Sequence, residues 1–169
     1  MSVLSEQIAK LYLDVKGGQS IGGLRNCVAT GRLIRDGKAS DFQCWGATRN
    51  TETFYAYALA HVVEQLEING AIHPIKVICK RGAIERYFKD FVPNWISKNG
   101  KNSQGKTPDA YDSWKECYEL YCLNKIVCVE KTNEHKEIFG KLEIRAQSKL
   151  NSLGADLLAE GVAGADSID

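Results

Sequence analysis

Across residues 48–68, TRNTETFYAYALAHVVEQLEI, the spacing of apolar side chains changes from a period of two to one near 3.6. Tyr55, Ala56, Leu59, Val62, Val63 and Leu66 then share one helical face, with Asn50 or Thr51 as N-cap. A helix entered directly from strand-like sequence restricts the chain to folds in which a sheet carries a helix across its face.

The preceding residues supply the strands. In IAKLYLDV, Ala9, Leu11 and Leu13 alternate with Lys10, Tyr12 and Asp14, which leaves Asp14 near the strand's C-terminal end. GGQSIGG reads as a linker, and LRNCVATGRLI and DFQCWGAT as further strands joined by a turn at Arg35, Asp36, Gly37 and Lys38. Beyond the helix, IKVICK is a short buried strand. GAIERYFKDF is helical through Ile84, Phe88 and Phe91 until Pro93 interrupts it. Residues 98–106 form a polar loop. Thr107 and Pro108 start another helix, with Tyr111, Trp114, Tyr118 and Tyr121 on one face. IVCVE reads as the last strand, residues 132–150 are charged and ambiguous, and NSLGADLLAEGV reads as a closing helix capped by Asn151 or Ser152.

At 169 residues this is material for a single core. One domain is expected over 1–165, with 166–169 as a short tail. A net charge of +1 exerts no global pull on polyanions, so any such affinity must be local. The N-terminal MSVLSEQIAK is no signal peptide, no apolar run approaches the roughly 20 residues that span a bilayer, and a cytoplasmic protein with no membrane partner is expected. Six cysteines without a CxxC pair suit reduced core thiols. His61 and His73 are read as structural.

The order of elements, the stretch NWISKNGKNSQGKTPDAYDSW and the closing NSLGADLLAEG together resemble type 1 ribonuclease H over residues 6–163. The first stretch is similar to that family's basic protrusion, an Asn-Trp pair and a Lys- and Gly-rich loop leading into a helix through Asp-x-Trp. The resemblance implies an α/β fold, a five-stranded mixed sheet with helices on its faces. It also implies four carboxylates that gather Mg²⁺ or Mn²⁺ for phosphodiester hydrolysis. Two such ions about 4 Å apart activate water and stabilise the transition state, and Mg²⁺ demands oxygen ligands.

On that resemblance Asp14 matches the first-strand position, Glu52 the helix-start position and Asp156 the last-helix position, and His135 matches the mobile-loop histidine. A shift of the helix by three residues puts Tyr55 in place of Glu52. The fourth-strand aspartate falls on Lys80, counting back without a gap from Asn94 and Trp95. An ammonium there cannot coordinate Mg²⁺ and repels it. It can instead neutralise Asp14, Glu52 and Asp156 as a cation would, so a site with no metal is one expectation. Glu130 or Glu85 as a replacement ligand is another.

Between residues 76 and 106 stand Lys76, Lys80, Arg81, Arg86, Lys89, Lys98, Lys101 and Lys106 against only Glu85 and Asp90, with Trp95 among them. Lysines and arginines displace counterions from phosphates and an indole packs on a sugar or base. Nucleic-acid contacts are therefore expected from Lys89, Trp95, Lys98, Lys101 and Lys106. Arg49, Asn50 and Thr51, with GGQSIGG, hold the positions from which the family senses hybrid. The partner implied is RNA–DNA hybrid or duplex, with hydrolysis weakened or lost. An active metal-dependent ribonuclease H and a non-enzymatic interaction module are the alternatives.

Overall fold

The computed structural model describes residues 8–66 and 73–168, so the end of the first long helix at 67–68, the first seven residues and Asp169 lie outside the described residues. Strands β1 (Ala9–Gly17), β2 (Arg25–Arg35) and β3 (Lys38–Thr48) form an antiparallel meander. Asp36 and Gly37 both adopt positive φ, 50° and 73°, as the two-residue turn between Arg35 and Lys38 requires. Helix α1 (Thr53–Leu66) follows, then β4 (Ile75–Cys79), which returns parallel to β1. A π-helical turn (Tyr87–Phe91) runs into α2 (Val92–Ser97); α3 (Tyr111–Cys122) leads to β5 (Ile126–Glu130), parallel to β4. A 3₁₀ turn (Asn133–His135) opens α4 (Lys136–Leu153), and β6 (Gly161–Ala165) closes the chain.

The mixed α/β fold with helices on a sheet is as expected, but the sheet has six strands in the order β5-β4-β1-β2-β3-β6. Its interior is buried on both faces. Leu11, Leu13, Ala29, Phe42 and Val77 pack with Phe54, Leu59 and Val63 of α1 and with Trp114 of α3. On the other face Tyr12 and Ile78 meet Phe139 and Leu142 of α4. Tyr12 is therefore buried with its neighbours and not a solvent-facing partner in the alternation, because α4 covers that side. Three charged contacts hold α4 there: Lys16 to Glu143 at 3.2 Å, Asp41 to Arg145 at 2.8 Å, and the Lys149 ammonium 3.6 Å from the Trp45 ring centroid. Arg32 also pairs with Asp41 at 2.8 Å, and its hydrogen bond is the main cause that holds the Asp41 carboxyl below the usual range.

Several boundaries differ from the sequence reading, each for a local reason. Residues 136–153 are one helix, and its buried side is narrow, Phe139, Leu142 and Ala146. Asn151 and Ser152 thus end a helix instead of starting one, and Asp156 lies beyond it in non-helical chain. The helix after Thr107 and Pro108 begins three residues late, at Tyr111, after Ala110 takes a left-handed conformation with φ 57°. Pro93 does not stop its helix. The Val92 N–H bonds back to the Tyr87 carbonyl, and the wider π turn brings the chain past the missing proline donor.

The last strand was illegible because glycine makes it. β6 pairs antiparallel with β3 across a bulge at Trp45 and Gly46. A Cβ on Gly46 would fall 1.8 Å from the Gly161 carbonyl oxygen, and one on Gly164 would fall 2.5 Å from the Trp45 indole. Beyond β6 the segment set aside as a tail is fastened down. Asp166 N–H donates to the Gln43 carbonyl, the Asp166 carbonyl is 2.7 Å from His61 Nε2, and Ile168 is buried in the core. Cys27, Cys44, Cys79 and Cys117 are buried free thiols, as expected. Among the described residues no helix is long and apolar enough to cross a membrane.

Gly46→Val is expected to unseat β6 and destabilise the domain by ~1–3 kcal/mol, the usual cost of overpacking. Urea denaturation with proteolysis after residue 160 as the second readout checks this. An unchanged midpoint and intact C-terminus would show that β6 is not held by the close Gly46–Gly161 approach.

Candidate functional site

Three parallel strands end side by side, and the residues just past their last pairs define the site. Tyr12 pairs with Ile78, so two residues further on Asp14 and Lys80 stand alongside each other. Cys79 pairs with Glu130, so the next residues are Lys80 and Lys131, and the Lys131 N–H donates to the Cys79 carbonyl. Asp14, Lys80 and Lys131 therefore form a row across the carboxyl ends of β1, β4 and β5, the edge at which open α/β sheets commonly bind ligands.

Asp14 is half-buried, and the loss of solvent around it raises its pKa above the usual carboxylate range. Lys131 is the main opposing influence, followed by the Val15 N–H, while Glu143 adds to the rise and Lys80 opposes it weakly. Glu143 of α4 lies across the same cavity as Asp14, about 530 Å³ in volume, with Lys131, Thr132, His135, Lys136 and Phe139 also in its wall. His135 accepts the Thr132 N–H on Nδ1 at 3.1 Å, which leaves the proton of the neutral ring on Nε2. Its ring packs edge-on against Tyr12, with centroids 5.8 Å apart.

On the opposite face α1 brings Tyr55, not Glu52, to Asp14. Tyr55 is 1% exposed, and its hydroxyl has no hydrogen-bond partner among the described residues. Burial drives its pKa far up, with Asp14 and Cys79 adding to the rise, and the nearby Val15 N–H lowers it only slightly. Lys80 Nζ is 6.0 Å from the Tyr55 ring centroid. Burial likewise pushes the Cys79 thiol up to about 12, so it is no nucleophile near neutral pH.

Glu52 points elsewhere. Asn50 caps the turn before α1, its side-chain oxygen accepting the Glu52 N–H at 3.0 Å, as anticipated. That turn aims Glu52 at Arg86, whose Nη2 donates to both carboxylate oxygens at 2.8 Å, while Tyr87 Oη donates to Oε1 at 3.3 Å. Asp156 is also away from Asp14: its backbone carbonyl accepts the Asn26 side-chain N–H at 3.0 Å, four residues along β2 from Thr30, the partner of Asp14. Of the proposed replacements, Glu85 pairs with Lys89 at 2.9 Å and Glu130 stands on β5 opposite Cys79. Sequence reading missed Glu143 and Lys131. The spacing of Phe139, Leu142 and Ala146 would have found Glu143 by revealing the helix that carries it.

This donor set does not fit a pair of hard divalent cations. Two carboxylates remain, the Tyr55 phenol is buried close to Asp14, and two ammonium groups, of Lys131 and Lys80, are near enough to Asp14 to oppose its raised pKa. Among the described residues no group of three or more His, Cys, Asp or Glu side chains is placed to hold a metal ion.

The Glu52–Arg86–Tyr87 contact ties the site to the basic protrusion. Asn50 Nδ2 also donates to Tyr87 Oη at 3.3 Å. Tyr87 stacks on Trp114 at 4.1 Å between centroids, and Phe91 stacks on Trp95 at 6.2 Å. Lys101 Nζ donates to Thr107 Oγ1 at 2.9 Å, bracing the loop, while Lys98 and Lys106 are exposed. At the other end a Cβ on Gly17 would fall 2.8 Å from Thr51, and one on Gly23 3.2 Å from the Arg49 guanidinium. The glycine loop thus neighbours Thr51 and Arg49, and Asn50 is linked through Tyr87 to Trp95. Arg49 also sits 3.9 Å from Glu160, and Lys89 is engaged with Glu85.

A three-stranded meander crossing by a helix into parallel strands is the architecture shared with known structures. The fold is that of ribonuclease H. A type 1 RNase H with the type 2 active-site motif superposes with a TM-score of 0.61 at 12% identity, over 93% of this chain and 77% of that one. Foamy viral protease-reverse transcriptase in complex with dsDNA gives 0.62 at 14% identity, over 90% of this chain and 99% of the other. The same protein in complex with RNA/DNA hybrid gives 0.59 at 14% identity, and there this chain spans 21% of the partner's length. No family model and no curated protein matches the sequence.

Two expectations follow. Because Asp14 holds a raised pKa, its ionised form costs stability: relative to Asp14→Asn, the native chain is at its best below the unfolded value of 3.8 and loses ground as pH rises through the folded value. Denaturant midpoints of both proteins from pH 3 to 8 test this, and a native chain that gains stability relative to Asp14→Asn as pH rises would contradict it. Tyr55→Phe removes an unpaired buried hydroxyl and is expected to stabilise by about 1 kcal/mol; a loss of stability would mean that the hydroxyl has a partner in solution.

Proposed function

We propose that this ribonuclease H-like domain binds RNA–DNA hybrid or duplex nucleic acid and does not hydrolyse it efficiently. The observation that carries the second half is the row Asp14, Lys80, Lys131 with Tyr55 behind it. Hydrolysis in such a fold needs divalent cations held by several carboxylates, and ammonium groups beside Asp14 repel them. Glu143 beside Asp14 is the remaining argument for activity, and a carboxylate pair without a third acid is a poor cage for two cations.

Support for binding comes from the basic residues. Arg49, Asn50, Lys89, Trp95, Lys98, Lys101 and Lys106 are the contacts proposed, and Asn50 is linked through Tyr87 to Trp95. Cations in such an arrangement engage phosphates and carry little sequence preference. Discrimination of hybrid from DNA falls to the glycine loop and residues 49–51, through contact with a 2′-hydroxyl.

Fluorescence anisotropy with labelled hybrid and duplex DNA, beside a cleavage assay in Mg²⁺ or Mn²⁺, tests the reading. Salt-sensitive binding is expected, weakened by Lys98→Ala or Lys106→Ala, with cleavage absent. Cleavage lost in Asp14→Asn would establish an active enzyme instead. Absence of any nucleic-acid binding would leave an interaction module.

A further inference from the structure

A cation that neutralises a buried carboxylate normally sits in an ion pair with it. Lys80 and Lys131 do not: among the described residues neither is within 4.0 Å of a carboxylate oxygen, as Lys16, Arg86 and Arg145 are. Both rest on aromatic faces, Lys131 Nζ 4.8 Å from the Phe139 ring centroid and Lys80 Nζ 6.0 Å from that of Tyr55. Both are exposed, and Lys131 lines the cavity at the start of α4.

The cavity's other donors have the same sense. Thr132, Asn133, His135 and Lys136 contribute hydroxyl, amide, imidazole and ammonium groups to its wall. Lys131 and Lys136 thus stand at the N-terminal end of an 18-residue helix, where cations are disfavoured by the helix dipole and an anion is favoured, and His135 adds a ring N–H donor beside them. Of the acidic residues of that turn, Glu134 lies 3.7 Å from His135 Nε2 and Glu137 pairs with Lys141 at 3.6 Å, and neither lines the cavity. Of the two acids in the wall, Glu143 is paired with Lys16. About 530 Å³ accommodates a phosphate with its sugar.

We infer that Lys131 and Lys80 hold a nucleic-acid phosphate directly at the ends of β5 and β4, where a metal-dependent nuclease places its cations, so that this contact needs no divalent ion. The inference rests on the nucleic-acid reading above and adds a second anchor at the strand ends, apart from the lysine loop of residues 98–106. A backbone phosphodiester and the terminal phosphate of a free nucleotide share this chemistry, so both are probed.

The test is anisotropy of a labelled hybrid in EDTA across a salt series, for the native chain, Lys131→Ala, Lys80→Ala and, in the protrusion, Lys101→Ala. Heteronuclear NMR follows titration with inorganic phosphate and with a nucleoside 5′-monophosphate. Binding undiminished by EDTA is expected. Each strand-end variant should weaken it several-fold and lower the log–log salt slope by about 0.9, the value of one phosphate contact, with an unchanged melting temperature. Dependence of binding on Mg²⁺ overturns the inference. So does native affinity in both strand-end variants when Lys101→Ala is weakened, a result that leaves the nucleic-acid reading standing. If no nucleic acid binds, that reading fails, and the phosphate titration decides alone. Saturable shifts at Lys131 and His135 that Lys131→Ala abolishes would keep the site as one for a free phosphate, and their absence would remove it.

Discussion

The alternation along β1 governs the rest of the structure. Leu11 and Leu13 face α1 while Tyr12 faces α4, so one nine-residue strand supplies both halves of the core. A sheet covered on both faces has only its strand ends open to solvent chemistry. With β1 in the middle, parallel to β4 and antiparallel to β2, the open end is the one where Asp14 emerges. A one-residue slip of β1 would turn Asp14 into the α1 core and expose Leu13, so the pairing that builds the core is also what positions the carboxylate.

Around that carboxylate the balance of burial and charge is unusual. Lys131 and Lys80 lower the cost of ionising Asp14 but do not cancel it, because neither approaches closely enough to form a hydrogen-bonded pair. A bound divalent cation would more than repay burial of several acids. Here the acids have been spread out: Glu52 is committed to Arg86, Glu143 to Lys16, and Asp156 lies on a different part of the sheet. The space between Asp14 and α1 is closed by a phenol. Among the described residues the acids around Asp14 are thus too dispersed to gather a divalent cation.

Much of this was legible in sequence where local chemistry and long-range packing agree. The Asp36–Gly37 turn, the buried face of α1, β4 and β5 all follow from spacing and turn residues. The failures share a cause: the structural reason was supplied by a distant partner. β6 contains no β-branched alternation beyond Val162 and exists because Gly46, Gly161 and Gly164 allow backbones and an indole to approach. With that strand invisible, residues 151–162 were assigned to a helix, and the true last helix, polar on all but a narrow side, was left unassigned. Asp156 followed the misplaced helix, and Glu143 was lost with the real one. The choice between Glu52 and Tyr55 was a three-residue ambiguity that hydrophobic periodicity could not settle, since both begin the same apolar helix. It is decided by Asn50, whose cap starts the turn early and aims Glu52 outward.

That outward turn has a consequence for the surface as well as for the remnant site. Glu52, at the start of α1, accepts from Arg86 on both carboxylate oxygens and from Tyr87 on Oε1. Tyr87 in turn stacks on Trp114, whose side chain is 1% exposed, and therefore carries the rigidity of the core into the protrusion. In a metal-dependent arrangement the helix start would be oriented by cations that arrive with substrate. Here it is oriented by a guanidinium of the same chain, before any ligand is present. Preorganisation of this kind lowers the ordering cost of binding. On the proposed reading, such a surface holds a polyanion without first having to order the segment that carries Arg86 and Tyr87.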